Sequence, residues 1–150
     1  MKWVLLIHVL AGAVLFGGQF YVEALMAAAA RTKDPATIMT VGGKVGPTNG
    51  RLFPVAGILV LITGVWIVLD SVYEFEMLFV SVGFALTIIA LTIGLFFLKP
   101  GLAELGDLVS EHGPTSPEAM AKAKSLGTLG HVQTLLVTVI IIVMVLKPGL

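Results

Sequence analysis

Leu52–Leu69 reads LFPVAGILVLITGVWIVL and carries no ionisable side chain. Coiled at about 1.5 Å per residue, a run of that length matches a hydrocarbon layer of about 30 Å. Three more stretches share its character: Val4–Ala30, Met77–Leu98 and Leu129–Leu146. A segment that crosses lipid must satisfy its own backbone, and this selects helix. The expected fold class is therefore all-α, an integral membrane four-helix antiparallel bundle. It forms a single membrane domain over 1–150, with spans at about 3–30, 51–69, 77–98 and 128–147.

Composition points the same way, with 57% hydrophobic and 12% charged residues, far from soluble averages. Cysteine is absent, which excludes disulfides, thiolate metal sites, cysteine nucleophiles and iron–sulfur clusters. A formal net charge of zero, with no aromatic–basic stripe, excludes nucleic acid as a partner; the lipid bilayer is the expected one. The first apolar stretch is expected to be a retained helix, because it holds His8, Gln19 and Glu23, which a cleavable leader does not need.

Between the spans, Asp34-Pro35 offers an N-cap followed by proline at the first helical position, so a short surface helix is expected over Ala36–Val41. The glycine-rich run from Val41 to Gly50 reads as loop. Pro54 is placed in the first turn of the second span, where its missing N–H costs little. Asp70–Glu76 is a short acidic turn, and Lys99-Pro100-Gly101 reads as the stop of the third span. Ser116-Pro117-Glu118 has the chemistry of a helix start, leading either into one long rod through the fourth span or to a kink at Gly127 and Gly130.

Lysine and arginine set the orientation. Lys2 and Lys147 lie on the side of the termini, against Arg31, Lys33, Lys44, Arg51, Lys99, Lys122 and Lys124 on the other. The positive-inside rule then makes 31–50 and 99–127 cytoplasmic loops, with both termini on the non-cytoplasmic side of the cell inner membrane.

Helix 1 places His8, Gly12, Leu15, Gln19 and Glu23 on one helical face. A charge near mid-bilayer costs at least about 2.5–3.5 kcal/mol, so this stripe is expected to face the bundle. Gln19, Glu23, Arg51 and His131 fall near one interface and form a candidate polar cluster, with a Glu23–Arg51 pair expected inside it. The cluster reads either as a latch closing the bundle or as a shallow polar pocket. His8, near the other interface, is a candidate haem or metal ligand or proton carrier, or else a histidine bonded to a neighbouring backbone carbonyl or hydroxyl. Small-residue rows at Gly50, Gly57 and Gly64, and at Gly83, Thr87, Ala90 and Gly94, suit close helix packing. No catalytic set and no metal cluster can be assembled, since the six methionines are dispersed and no phosphate loop, triad or Glu-x-x-His pair occurs.

The residues Trp3, His8-Val-Leu-Ala-Gly12 and Phe16-Gly-Gly-Gln-Phe-Tyr21, followed by Gly50-Arg-Leu-Phe-Pro54, Gly57 and Gly64, carry a family resemblance. The chain resembles HemJ-type membrane protoporphyrinogen oxidases, the copper-resistance protein D group, and an uncharacterised four-helix integral membrane family allied to both. The resemblance implies haem b binding at His8. HemJ-type proteins also place a functional lysine early in helix 3, where Met77–Phe84 here has none, so the uncharacterised family fits best. The function expected is an accessory or structural subunit, or a self-associating scaffold, with protein partner subunits or a homo-oligomer. A haem-binding redox protein using His8 is the alternative, and proton or small-ion transport along the His8–Gln19–Glu23 stripe is a third.

Overall fold

In a computed structural model, which describes residues 1–149 and all their side chains except those of residues 47–49, the chain is helical almost throughout. Its elements are α1 (Lys2–Arg31), α2 (Pro35–Leu69), α3 (Leu78–Thr92), a π-helical segment (Ile93–Leu98), α4 (Lys99–His112) and α5 (Pro117–Leu146). No strand occurs among the described residues. Among the described residues, four helices are long and apolar enough to cross a membrane, Lys2–Arg31, Gly50–Leu69, Leu78–His112 and Pro117–Leu146.

The helices outrun their apolar segments. At 35 residues each, α2 and the continuous rod Leu78–His112 reach about 52 Å, well beyond a hydrocarbon layer of about 30 Å. The expected loop at 41–50 is instead helical, and so is most of 99–127. Packing explains the first departure. Glycine weakens a helix, but Gly42 lies under Met26 of α1 and Gly46 under Leu102 of α4, so the small residues gain close neighbours in exchange. Pro54 thus lies deep inside α2, not in a first turn.

The stop expected at Lys99-Pro100-Gly101 is also overruled. Proline removes one N–H, and its ring clashes with the carbonyl four residues back, here that of Phe96. Just ahead of it the helix widens to π geometry, and the Lys99 N–H donates to the Gly94 carbonyl, five residues back. That wider turn is a known way for a helix to absorb such an insult. The rod then continues to Gly113, whose φ of +83° ends α4.

Caps follow the sequence closely. The Asp34 carboxylate accepts from the N–H groups of Ala36 and Thr37, each at 3.1 Å, with Pro35 at the first position of α2. Ser116 Oγ accepts from the Ala119 N–H at 3.2 Å, and α5 runs unbroken through Gly127 and Gly130.

Small residues mark where helices touch. A Cβ at Gly18 would stand 2.7 Å from Phe53 Cε1 across the α1–α2 seam, and one at Gly57 would stand 2.6 Å from Leu91 Cδ2 across α2–α3. Gly83 faces Met144, and the buried Gly101 faces Leu126 of α5. The best-packed region lies at the connection between α2 and α3, where Val68, Phe79 and Val80 are buried beneath Tyr73, Met77, Phe84, Val143 and Met144. Elsewhere large apolar side chains face outward, Trp3 at 78%, Val72 at 85% and Val145 at 72% exposure. Such a surface suits acyl chains, not water.

Two outcomes are expected. Gly57→Ala forces its methyl against the branched Leu91 and costs about 1–3 kcal/mol, whereas Gly43→Ala, with nothing within 4 Å, stabilises α2 by about 0.5–1 kcal/mol. Unfolding in mixed micelles measures both. Separately, the Thr37 hydroxyl and the N–H groups of Ala36 and Thr37 hold the Asp34 carboxyl below its usual range. A carboxyl depressed in the folded state contributes stability above its unfolded pKa, and that contribution is lost as pH falls through the folded value. Amide protection at Ala36 and Thr37 should therefore fall once pH drops below about 4, and should already be low in Asp34→Ala.

Candidate functional site

Glu23 lies two turns before the end of α1, and its helical position turns it toward α5. Its Oε2 lies 2.7 Å from His131 Nδ1, while its Oε1 accepts from the Thr134 hydroxyl at 3.1 Å. One turn earlier on α1, Gln19 is buried to 7% exposure, and its Nε2 reaches the Gly130 carbonyl at 3.5 Å. The Thr134 hydroxyl is also 3.1 Å from that carbonyl, so its one proton is shared between two acceptors. Residues 19 and 23 of α1 thus engage 130, 131 and 134 of α5. The spacing is helical on both sides, so one turn of each helix suffices.

The burial is graded. The Glu23 side chain is 24% exposed and that of His131 75%, so the carboxylate lies inside the seam and the imidazole at its mouth.

The expected Glu23–Arg51 pair is not formed. Arg51 is exposed on α2 and makes no ion pair within 4 Å among the described residues. The reason is rotational. Proximity to one interface fixes height along the bundle, but Glu23 faces α5, and α2 meets α1 through Phe53 on Gly18 and Gly42 on Met26. Gln19, Glu23 and His131 are brought together; Arg51 is left outside.

His8 occupies a different seam. Its Nδ1 lies 2.9 Å from Thr63 Oγ1, and that hydroxyl donates to the Leu59 carbonyl at 2.5 Å. The Thr63 hydroxyl thus ties the His8 ring, through Nδ1, to the α2 backbone. The ring packs on Gly64, where a Cβ would stand 3.4 Å from both His8 Cε1 and Phe84 Cζ.

Two contacts escaped the sequence reading. Gln133 Nε2 donates to the Ala90 carbonyl at 3.0 Å, tying α5 to α3 just before the π segment, while its buried Oε1 has no partner among the described residues. The signal was available, since an amide in an apolar span has to bond to something. At the other end, Lys147 Nζ bonds the Tyr73 hydroxyl and lies 4.6 Å from the centre of that ring. No local pattern could pair residues 74 positions apart. Among the described residues, no three His, Cys, Asp or Glu side chains converge as a metal site would require.

Comparison with known proteins adds one match. The model of a family described as predicted integral membrane protein (DUF2269) matches residues 2–148. No curated protein matches the chain, and no solved structure does. None of these comparisons supports the expected relationship to HemJ-type or copper-resistance proteins.

The seam's energetics can be measured. Thr134→Val should cost about 0.6 kcal/mol, the usual scale of a hydrogen bond between membrane helices. Glu23→Leu should cost more than Glu23→Gln, which still offers Thr134 an acceptor. Arg51→Gln should stay within about 0.5 kcal/mol of the parent. Unfolding titrations in mixed micelles read all four.

Proposed function

Because the chain belongs to a family of predicted integral membrane proteins, DUF2269, we propose that it works as a non-enzymatic four-span subunit of the cell inner membrane. In this reading it acts by self-association or by packing against partner subunits. One observation carries the reading. On the outward side of α1, Ala13, Gly17, Ala24 and Ala28 are all exposed, and a Cβ at Gly17 would meet nothing within 4 Å. Positions separated by four, seven and four residues share a helical face, and small residues there let a second helix approach closely. Tyr21 and Phe20 flank the stripe, 64% and 47% exposed, as surfaces for a neighbouring chain.

The topology in this reading is an antiparallel bundle in one domain. Its support is the order of contacts along α1 and α2, with His8 against Thr63, Gly18 against Phe53 and Met26 against Gly42. Both termini then share the non-cytoplasmic side. Arg31, Lys33, Lys44, Arg51, Lys99, Lys122 and Lys124 gather on the cytoplasmic side, as the positive-inside rule requires. The connections 31–50 and 99–127 belong to that side as helical extensions, joined by short turns.

Native mass spectrometry of the protein in lipid nanodiscs and mild detergent tests the proposal. An oligomer or a stable co-purifying subunit is expected, and Gly17→Leu should weaken it about tenfold or more by filling the groove. A particle that stays monomeric and carries no other chain would overturn it.

Haem ligation by His8 is a second reading, favoured by the Thr63 bond, which orients the ring through Nδ1 as an outer partner of a ligating histidine would. It supplies one axial position only, because His131 is engaged with Glu23 in another seam. A Soret band in haem-supplemented preparations that disappears in His8→Ala would support it, and a colourless protein would remove it.

A further inference from the structure

α2 and the rod Leu78–His112 meet in a fixed register. Gly64 packs on Phe84, Gly57 on Leu91 and Gly46 on Leu102, so equal steps along α2 match equal steps along the rod. Arg51 therefore lies level with Phe97, and Lys99 is two residues, about 3 Å, further along the axis. Both stand where charge first returns to the chain. The runs 52–69 and 78–98 hold no ionisable side chain, and each extends about 27–32 Å, the depth of the hydrocarbon layer. The helical phases agree as well. At about 100° per residue, Arg51 is turned about 160–180° from Phe53 and Gly42, which face α1. Lys99 is turned about 160° from Gly101, which faces α5. α1 and α5 hold each other through Glu23 and Thr134 on the far side of the bundle. Arg51 and Lys99 thus project from the one outer face that α2 and the rod share. Lys44, seven residues before Arg51, repeats its direction.

We propose that Arg51 and Lys99, with Lys44 beside them, bind the phosphate of an anionic phospholipid whose acyl chains lie along the apolar face next to them. All three cations are exposed, and none makes an ion pair within 4 Å among the described residues. No carboxylate competes for them at this level. α2 carries no acidic residue, Glu104 of the rod is held by Lys122 of α5, and Asp107 follows about 12 Å beyond Lys99. On the hydrocarbon side of Arg51 the same helical face continues as Val55, Ile58 and Ile62, which are 58%, 46% and 57% exposed. A basic headgroup contact at the end of an uncovered apolar face has the polarity of a phospholipid, which a soluble anion does not match. The guanidinium supplies a planar fork for two phosphate oxygens, and the ammonium groups add point charges. At the opposite end of the same two helices the charges are Asp70, Glu74 and Glu76, which repel such a lipid, so the preference belongs to one leaflet. The small-residue stripe of α1 lies on another helix, and the lipid contact does not depend on self-association.

Native mass spectrometry of the full chain in a non-ionic detergent tests this, with phosphatidylglycerol or phosphatidylcholine of identical acyl chains titrated in. The first phosphatidylglycerol should bind about tenfold more tightly than phosphatidylcholine. Arg51→Gln and Lys99→Gln should each weaken phosphatidylglycerol about fivefold, the worth of one basic residue at a membrane surface, and leave phosphatidylcholine unchanged. Lys99→Arg keeps the charge and should keep the parent affinity, which separates loss of charge from disturbance of the helix. Lys124→Gln removes an exposed charge at the same end of the bundle but on α5, and should change nothing. Millimolar inorganic phosphate or glycerol phosphate should not displace the lipid. Equal binding of the two lipids, an equal loss in Lys124→Gln, or displacement by the soluble phosphates would each overturn the site.

Discussion

Hydrocarbon offers a polar side chain no partner, so a hydrogen-bonding group on a span gains most by finding one within the protein. That constraint organises this molecule more than packing density does. His8 finds Thr63, Gln19 finds the Gly130 carbonyl, Glu23 finds Thr134 and His131, and Gln133 finds the Ala90 carbonyl. Each bond crosses a seam between two helices, and together they join α1 to α2, α1 to α5, and α5 to α3. Buried apolar side chains are few, with the densest group limited to Val68, Phe79, Val80 and their neighbours at one end of the bundle.

Small residues supply the other half of the order. Lipid removes the hydrophobic incentive for helices to associate, so association depends on close van der Waals approach. Glycine at 18, 57, 83 and 101 lets Phe53, Leu91, Met144 and Leu126 settle against a bare backbone. Gly17 does the opposite. It faces outward with nothing against it, which is the feature a subunit contact would use. The polar turn at Gln19 and Glu23 and the outward stripe lie on different sides of the same helix, so α1 carries both the internal seam and an exposed row of small residues.

How far the sequence could be read varied with the range of the interaction. The four apolar stretches, the cap at Asp34 and the cap at Ser116 depend on neighbours within a turn, and each was legible. The glycine-rich 41–50 stretch and Lys99-Pro100-Gly101 look locally like interruptions, yet both are helical. There a partner decided: Met26 and Leu102 pack on the glycines, and a π turn absorbs the proline. Helical spacing likewise brought His8, Gln19 and Glu23 onto one face of α1, but it held no information on which helix would lie opposite.

By itself, then, the sequence determined that this chain is all-helical, that four of its segments suit lipid, and where two of its helices begin. These follow from hydropathy and capping, which act over a few residues. Only the tertiary structure decided that Glu23 pairs with His131 and not Arg51, that Gln133 reaches Ala90, and that Lys147 caps Tyr73. Such choices depend on the rotation of one helix about its axis relative to another. Contacts distant in the chain set that rotation, and no local pattern encodes it.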